Sequence, residues 1–181
     1  MRAGRLRHRV ILQEQTETVS AVTGEVSRSW TNTATVWGGV EPLSMRERMQ
    51  GGQLDAVNTH RVPIRWRPGV HSQMRVLVPK EVTTLDGAIG VADTAITVDS
   101  TAWSWGDNDF YALIGSEVVT VTSGHGTANL TVSRGTFSTT AATHTDESNI
   151  VRLAVLNVEG VNNRNEANHE IELMCSEVQD G

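Results

Sequence analysis

The feature that most constrains this chain is a two-residue alternation of side-chain character that recurs along much of its 181 residues. Successive side chains of an extended backbone leave on opposite faces, so a polar–apolar alternation of period two marks half-buried strands. In residues 5–12, Leu6, His8, Val10 and Leu12 fall on one side, and Arg5, Arg7, Arg9 and Ile11 on the other. In residues 34–40, Val36 and Val40 oppose Trp37. In residues 59–67, His60, Val62, Ile64 and Trp66 oppose Thr59, Arg61, Arg65 and Arg67. Met74, Val76 and Val78 make a fourth strand, and Ile171, Leu173 and Cys175 alternate with Glu170, Glu172 and Met174. Pro63 has no N–H to donate, which predicts an edge strand or a bulge there. His8 and His60 lie on apolar sides and are expected as packed core or interface histidines. The fold class read from this pattern is all-β, a small barrel or sandwich.

Two stretches break the pattern. Ser44-Met45-Arg46-Glu47 is a capping box, in which the serine hydroxyl accepts the third amide and the glutamate reaches back. Met45, Met49 and Val57 give a thin apolar stripe. Gly51-Gly52 then interrupts, at about 1 kcal/mol per glycine relative to alanine. This predicts one short helix at roughly 44–50, followed by a mobile loop before residue 59. The second stretch, residues 83–152, holds fourteen of the twenty-one threonines and no lysine. Its candidate strands are Ile96 with Val98, Phe110 to Ile114, Val118 to Val121, and Leu130 with Val132, separated by Gly115, Gly124, Gly126 and Gly135. The reading is a discontinuous domain of residues 1–82 and 153–181, with residues 83–152 as an inserted small β module projecting from a surface turn.

Little in the chain suggests chemistry. Gly-x-Ser-x-Gly and P-loop patterns are absent. Asp107-Asn108-Asp109 opens like a calcium loop, but the later glycine and bidentate glutamate are missing. His125, His144 and Asp146 lack the spacing of a zinc site. The single cysteine, Cys175, alternates with Leu173 and Ile171, which favours a buried small residue over a nucleophile and fits assembly in a reducing cytoplasm. The expectation is no enzyme, no cofactor and no metal. The only apolar run near the start is Val10-Ile11-Leu12, too short for a signal peptide, and nothing approaches a membrane span.

Charge is segregated along the chain. Residues 1–80 carry twelve basic against six acidic side chains, residues 81–152 two against nine, and residues 153–181 one against six. Such segregation suits a subunit whose basic face meets a neighbour's acidic face, or a basic surface on DNA. The Arg5, Arg7, Arg9 row is either a solvated strand face or such a contact. Five of the eight aromatic residues are Trp, a residue type that anchors interfaces. A ring or partner interface is expected at Arg5, Arg7, Arg9, Trp37, Arg65 and Arg67.

With residues 83–152 set aside, the remainder resembles the phage head–tail joining, or head-closure (stopper), family. The resemblance rests on Ala3-Gly4-Arg5-Leu6-Arg7-His8-Arg9-Val10, Gly24-Glu25, Trp30 and Val36-Trp37-Gly38-Gly39-Val40-Glu41-Pro42-Leu43. It continues through Arg46-Glu47, the segment Thr59-His60-Arg61-Val62-Pro63-Ile64-Arg65-Trp66-Arg67 and Met74-Arg75-Val76. It resumes at Leu156-Asn157-Val158-Glu159-Gly160-Val161-Asn162-Asn163 and ends in Glu172-Leu173-Met174-Cys175. Within the insert, Ile114-Gly115-Ser116-Glu117, Val132-Ser133-Arg134-Gly135 and Ala141 to His144 resemble a short β module of other virion structural proteins.

The resemblance implies a structural protein of the virion neck, assembled in the host cytoplasm as a homo-oligomeric ring of roughly six or twelve copies. Adaptor and portal proteins would lie above it and tail terminator or tail tube proteins below. DNA would pass through the lumen with non-specific contact at most, and no membrane is involved. In such stoppers the segment matching roughly Ser44 to Asn58 can close the channel. It places Ser44, Met45, Arg46, Glu47, Arg48, Gly51 and Gly52 in a closure loop. The alternatives are an adaptor contacting the portal directly, expected to be helical, and a carbohydrate- or cell-binding module using the Thr-rich insert with Trp103 and Trp105. A metal-dependent hydrolase comes third.

Overall fold

The computed structural model describes residues 3–43, 59–99, 108–163 and 168–177. The expected helix at 44–50 and the loop to residue 58 lie outside them, as do Trp103 and Trp105. Eleven strands are present among the described residues: β1 His8–Val19, β2 Val26–Gly38, β3 Glu41–Pro42, β4 His60–Arg65, β5 Arg75–Thr84, β6 Ala95–Thr97, β7 Phe110–Ile114, β8 Glu117–Ser123, β9 Asn129–Ser133, β10 Asn149–Asn163 and β11 Glu170–Glu177. The fold is all-β. The chain divides into two compact units, Met1–Val78 with Val155–Val178, and Pro79–Ala154. Both chain crossings fall inside strands, in β5 and β10.

In the first unit six strands follow the order β11-β4-β2-β1-β5-β10, and β10 pairs back onto β11, so the ladder closes on itself. Closure is what an antiparallel sheet of this size needs to leave no hydrogen-bonding edge. Val158 helps to link β10 to the start of β5, donating to the Met74 carbonyl at 2.9 Å and accepting from Gln73 at 3.0 Å. Val10, Leu12, Val62, Ile64, Val76, Leu156, Leu173 and Cys175 are buried. Ile171, Leu173 and Cys175 are buried as the alternation predicts, on a strand whose intervening residues are half-buried.

Three details differ from the sequence reading. The first strand begins at His8, because Ala3–Arg5 form a 3₁₀ turn and Arg7 Nε donates back to the Gly4 carbonyl at 2.7 Å. His8 itself is exposed, so it is not a core histidine. Pro63 does not lie on an edge: β4 pairs with β11 along its whole length and with β2 and β3 on its other side. It is accommodated because β2 ends at Gly38 and β3 starts at Glu41. In an antiparallel strand the N–H and C=O of one residue point the same way. The Pro63 carbonyl accepts from Gly39 at 2.9 Å, so its missing donor faces the gap between β2 and β3. Gly39 is required there, since a Cβ would lie 2.9 Å from both the Arg5 carbonyl and Pro63 Cγ.

The β1–β2 hairpin is much longer than predicted. In its base Val10–Gln13 of β1 are buried, but Glu14–Val19 on β1 and Val26–Ser29 on β2 are exposed on both faces. A register shift after Leu12, where Gln13 faces Asn32 and Thr33 is skipped, separates base from arm. Such a bulge bends and twists the bulged strand.

In the second unit β7 pairs with β8, β8 with β9, β9 with β6, and the first residues of β10 with β7. The core is Leu85, Ile89, Ile96, Val98, Phe110, Ala112, Ile114, Val119, Val121, Leu130, Val132 and Ile150. Its strands fall where the short Thr/Val alternations predict. Gly115, at φ 61°, turns the tight β7–β8 connection.

Candidate functional site

The first unit carries a groove of about 690 Å³ lined by Leu6, Arg9, Thr35, Val36, Trp37, Arg65, Trp66 and Arg67. Arg9 of β1 and Trp37 of β2 are direct cross-strand partners and therefore share a face. The Arg9 guanidinium carbon lies 5.2 Å from the centre of the indole, a cation–π distance. Arg65 is the last residue of β4, with Trp66 and Arg67 just past its end. The Trp66 amide donates to the His169 carbonyl at 3.1 Å, which fixes the backbone as it leaves the strand. The two indoles are 53% and 40% exposed. Three guanidiniums and no carboxylate line the groove. Two exposed indoles framed by arginines set apolar area and positive charge side by side.

Arg9, Trp37, Arg65 and Arg67 of the expected interface thus come together. Arg5 and Arg7 do not join them. Arg5 makes a bidentate pair with Glu41, Nε to Oε1 and Nη2 to Oε2 both at 2.9 Å, and Arg61 approaches the same carboxylate at 3.1 Å. Burial pushes the Glu41 carboxyl up, but the hydrogen bonds from Arg5 and Arg61 outweigh it and hold the group below its ordinary value. Arg7 is held by the Gly4 carbonyl. The expected row of three arginines is therefore broken by the N-terminal turn. Trp66, placed by alternation on the side of Val62 and Ile64, belongs to the groove because β4 stops one residue before it. The signal for it was its placing between Arg65 and Arg67. The closure-loop residues Ser44, Met45, Arg46, Glu47, Arg48, Gly51 and Gly52 lie outside the described residues.

A second charged cluster sits inside the other unit, and here the side chains hold structure. Glu117 is fully buried at the start of β8. Arg134 Nε and Nη2 donate to its two oxygens at 2.7 and 2.8 Å, the Gly135 and Ala142 amides donate at 3.1 Å, and His144 Nε2 lies 2.9 Å away. Arg134 also donates to the carbonyls of Gly90, Asp93 and Ala142. Burial pushes the Glu117 carboxyl up, yet this set of donors overcomes it and brings the group to about 2. These residues are the three motif fragments of the insert, brought to one point. His125 lies instead against Phe110, with ring centres 5.8 Å apart, and Asp146 accepts the Gly87 amide. Among the described residues no three His, Cys, Asp or Glu are grouped to hold a metal ion. Burial, with the charge of Glu159 adding to it, pushes the Cys175 thiol up to about 12.

The family model described as phage head completion protein matches residues 1–87. No curated protein matches the chain. Among solved structures, the solution structure of protein SF1141 from Shigella flexneri 2a matches with 19% identity and a TM-score of 0.50, covering 100% of each chain. At that identity the likeness speaks to fold alone. The matched residues 1–87, just under half of the chain, build the whole groove.

Proposed function

We propose that the chain is a ring subunit of the head–tail connector of a tailed phage, a stopper that joins the portal–adaptor assembly to the tail and gates the DNA channel. The observation that carries this reading is the arginine–tryptophan groove on the closed barrel, built from the residues that match the head completion family. Arg9, Trp37, Arg65 and Arg67 act as its partner interface, and residues 44–58 as the closure segment. Many copies are needed, because a symmetric ring turns weak contacts into one stable gate. The groove offers docking chemistry, and the buried Glu117 cluster is occupied in holding its own loops. No helix among the described residues is long and apolar enough to cross a membrane. The adaptor alternative leads to a helical protein, and the all-β fold gives it no support.

Electron microscopy of necks from particles carrying this gene product tests the proposal. The expected result is a symmetric ring of this chain between the portal-side ring and the tail. Particles that lack the chain at that level would remove the proposal.

A further inference from the structure

We infer that the β1–β2 arm of one copy docks in the Arg9–Trp37–Trp66 groove of the next, which makes this pair of surfaces the ring contact; the inference rests on the proposed ring. The arm has no packing of its own to justify its length. Glu14–Val19 alone reach roughly 20 Å at the usual rise per residue, and both faces there are exposed. A two-stranded ribbon is marginally stable by itself in water. This one is anchored at its root, where Arg75 stacks on Trp30 at 4.3 Å and Gln13 Nε2 donates to Asn32 at 2.7 Å.

The tip carries the chemistry that the groove lacks. Val19 and Val26 are cross-strand partners, and with Val22 in the turn they form an apolar knob, 65%, 51% and 94% exposed. Solvent-exposed valines at the end of a ribbon, rather than the lysines that usually protect such edges, mark a surface meant to be covered. Residues 13–33 hold three carboxylates against the single Arg28. Glu17 pairs with Arg28 at 2.8 Å and Glu14 lies 3.6 Å from His71, which leaves Glu25, exposed beside the turn, as the acid at the tip. The groove presents indoles for the valines and guanidiniums for Glu25. Arm and groove lie on the same unit and are different surfaces, so their contact is head-to-tail, the type that propagates into a closed ring or an open filament. An excess of acid on one surface and of base on the other fixes register and disfavours arm–arm or groove–groove pairing.

Engineered thiols test this on the purified full-length chain. Cys175 is buried and leaves the background clean. The chain bearing both Val22→Cys and Thr35→Cys should give a ladder of covalent multimers on oxidation, while either single variant stops at dimers. Val22→Asp, at an exposed position that should not disturb folding, should weaken self-association roughly tenfold or more, the effect of removing one well-placed apolar anchor. Glu25→Arg should weaken it too, and mixing that variant with Arg65→Glu should restore mixed oligomers. A chain that gives no ladder, or assembles undiminished with Val22→Asp, overturns the inference. So does duplex DNA binding that is lost in Arg65→Glu with Arg67→Glu while self-association is unchanged, which assigns the groove to DNA. A ring seen in particle necks without the ladder leaves the connector proposal standing and removes only this contact. A ladder from a chain absent from particles does the reverse.

Discussion

Glu117 accepts hydrogen bonds from two backbone amides and both forks of a guanidinium while shut off from water, so its charge is part of the fold of the inserted unit. Its folded pKa of about 2 lies below the ordinary carboxylate value of 4.5. A group depressed on folding stabilises fully above its unfolded pKa and loses that contribution as pH falls through the folded one. The window is therefore between about 4.5 and about 2, and the contribution at neutral pH is on the order of 3 kcal/mol. Urea unfolding measured across that range should show stability falling with acid. Glu117→Gln should be less stable at pH 7 by roughly 3 kcal/mol, since it leaves Arg134 buried without its counter-charge, and should be nearly flat across the same window. A wild-type curve already flat there would contradict this account. At the other buried ionisable site, the Cys175 thiol at about 12 should react with an aromatic disulfide reagent only after denaturant is added.

Strands and turns show where sequence reasoning succeeded and why it stopped. The insert strands β7 and β9 were legible because their burial alternates: Phe110, Ala112 and Ile114 are buried on β7 with half-buried Tyr111 and Leu113 between them, and Leu130 and Val132 are buried between exposed neighbours on β9. β1 was legible as a strand and misread in its extent. Val10, Ile11, Leu12 and Gln13 are buried in succession, so period two fails there, and beyond them both faces are wet and carry no hydrophobic pattern at all. β10 was recovered only in part, through its resemblance, because its burial is irregular and a register shift between Val158 and Gly160 resets the alternation. Of the groove, Arg9, Trp37, Arg65 and Arg67 were legible, whereas the separation of Arg5 and Arg7 depended on a turn that charge patterning does not reveal. The Gly38-Gly39 pair has an element-level consequence. Gly39→Ala would push a methyl against the Arg5 carbonyl and Pro63, and overpacking of this kind costs about 1–3 kcal/mol. Thermal melting should show the loss, and an unchanged midpoint would mean that the β2–β3 gap can open freely. Trp30→Ala should leave the barrel folded but raise amide exchange along Glu14–Val19, since it removes the stacking with Arg75 that anchors the arm.

For the whole molecule, the two units hold different features. The barrel unit holds the arginine–tryptophan groove and the arm, and the inserted unit is a Thr-rich fold organised about one buried carboxylate. The proposed closure segment, residues 44–58, joins β3 to β4. β3 and β4 are already tied together by the Glu41–Arg61 and Pro42–His60 pairs and by the Leu43 amide donating to Thr59 at 2.9 Å. The ends of the segment are therefore fixed by main-chain hydrogen bonds that do not depend on its length, and loop entropy changes only slowly with length. Deleting residues 50–56 should accordingly leave folding and ring formation near wild type while impairing closure. Particles built with the deletion should package DNA and then lose it, read as empty heads by electron microscopy and as a drop in encapsidated DNA, with the ring still present at the neck. Particles that keep their DNA and join tails at the wild-type level would show that another component closes the channel. A deletion that also abolishes the ring would place residues 50–56 in the subunit contact instead of the gate.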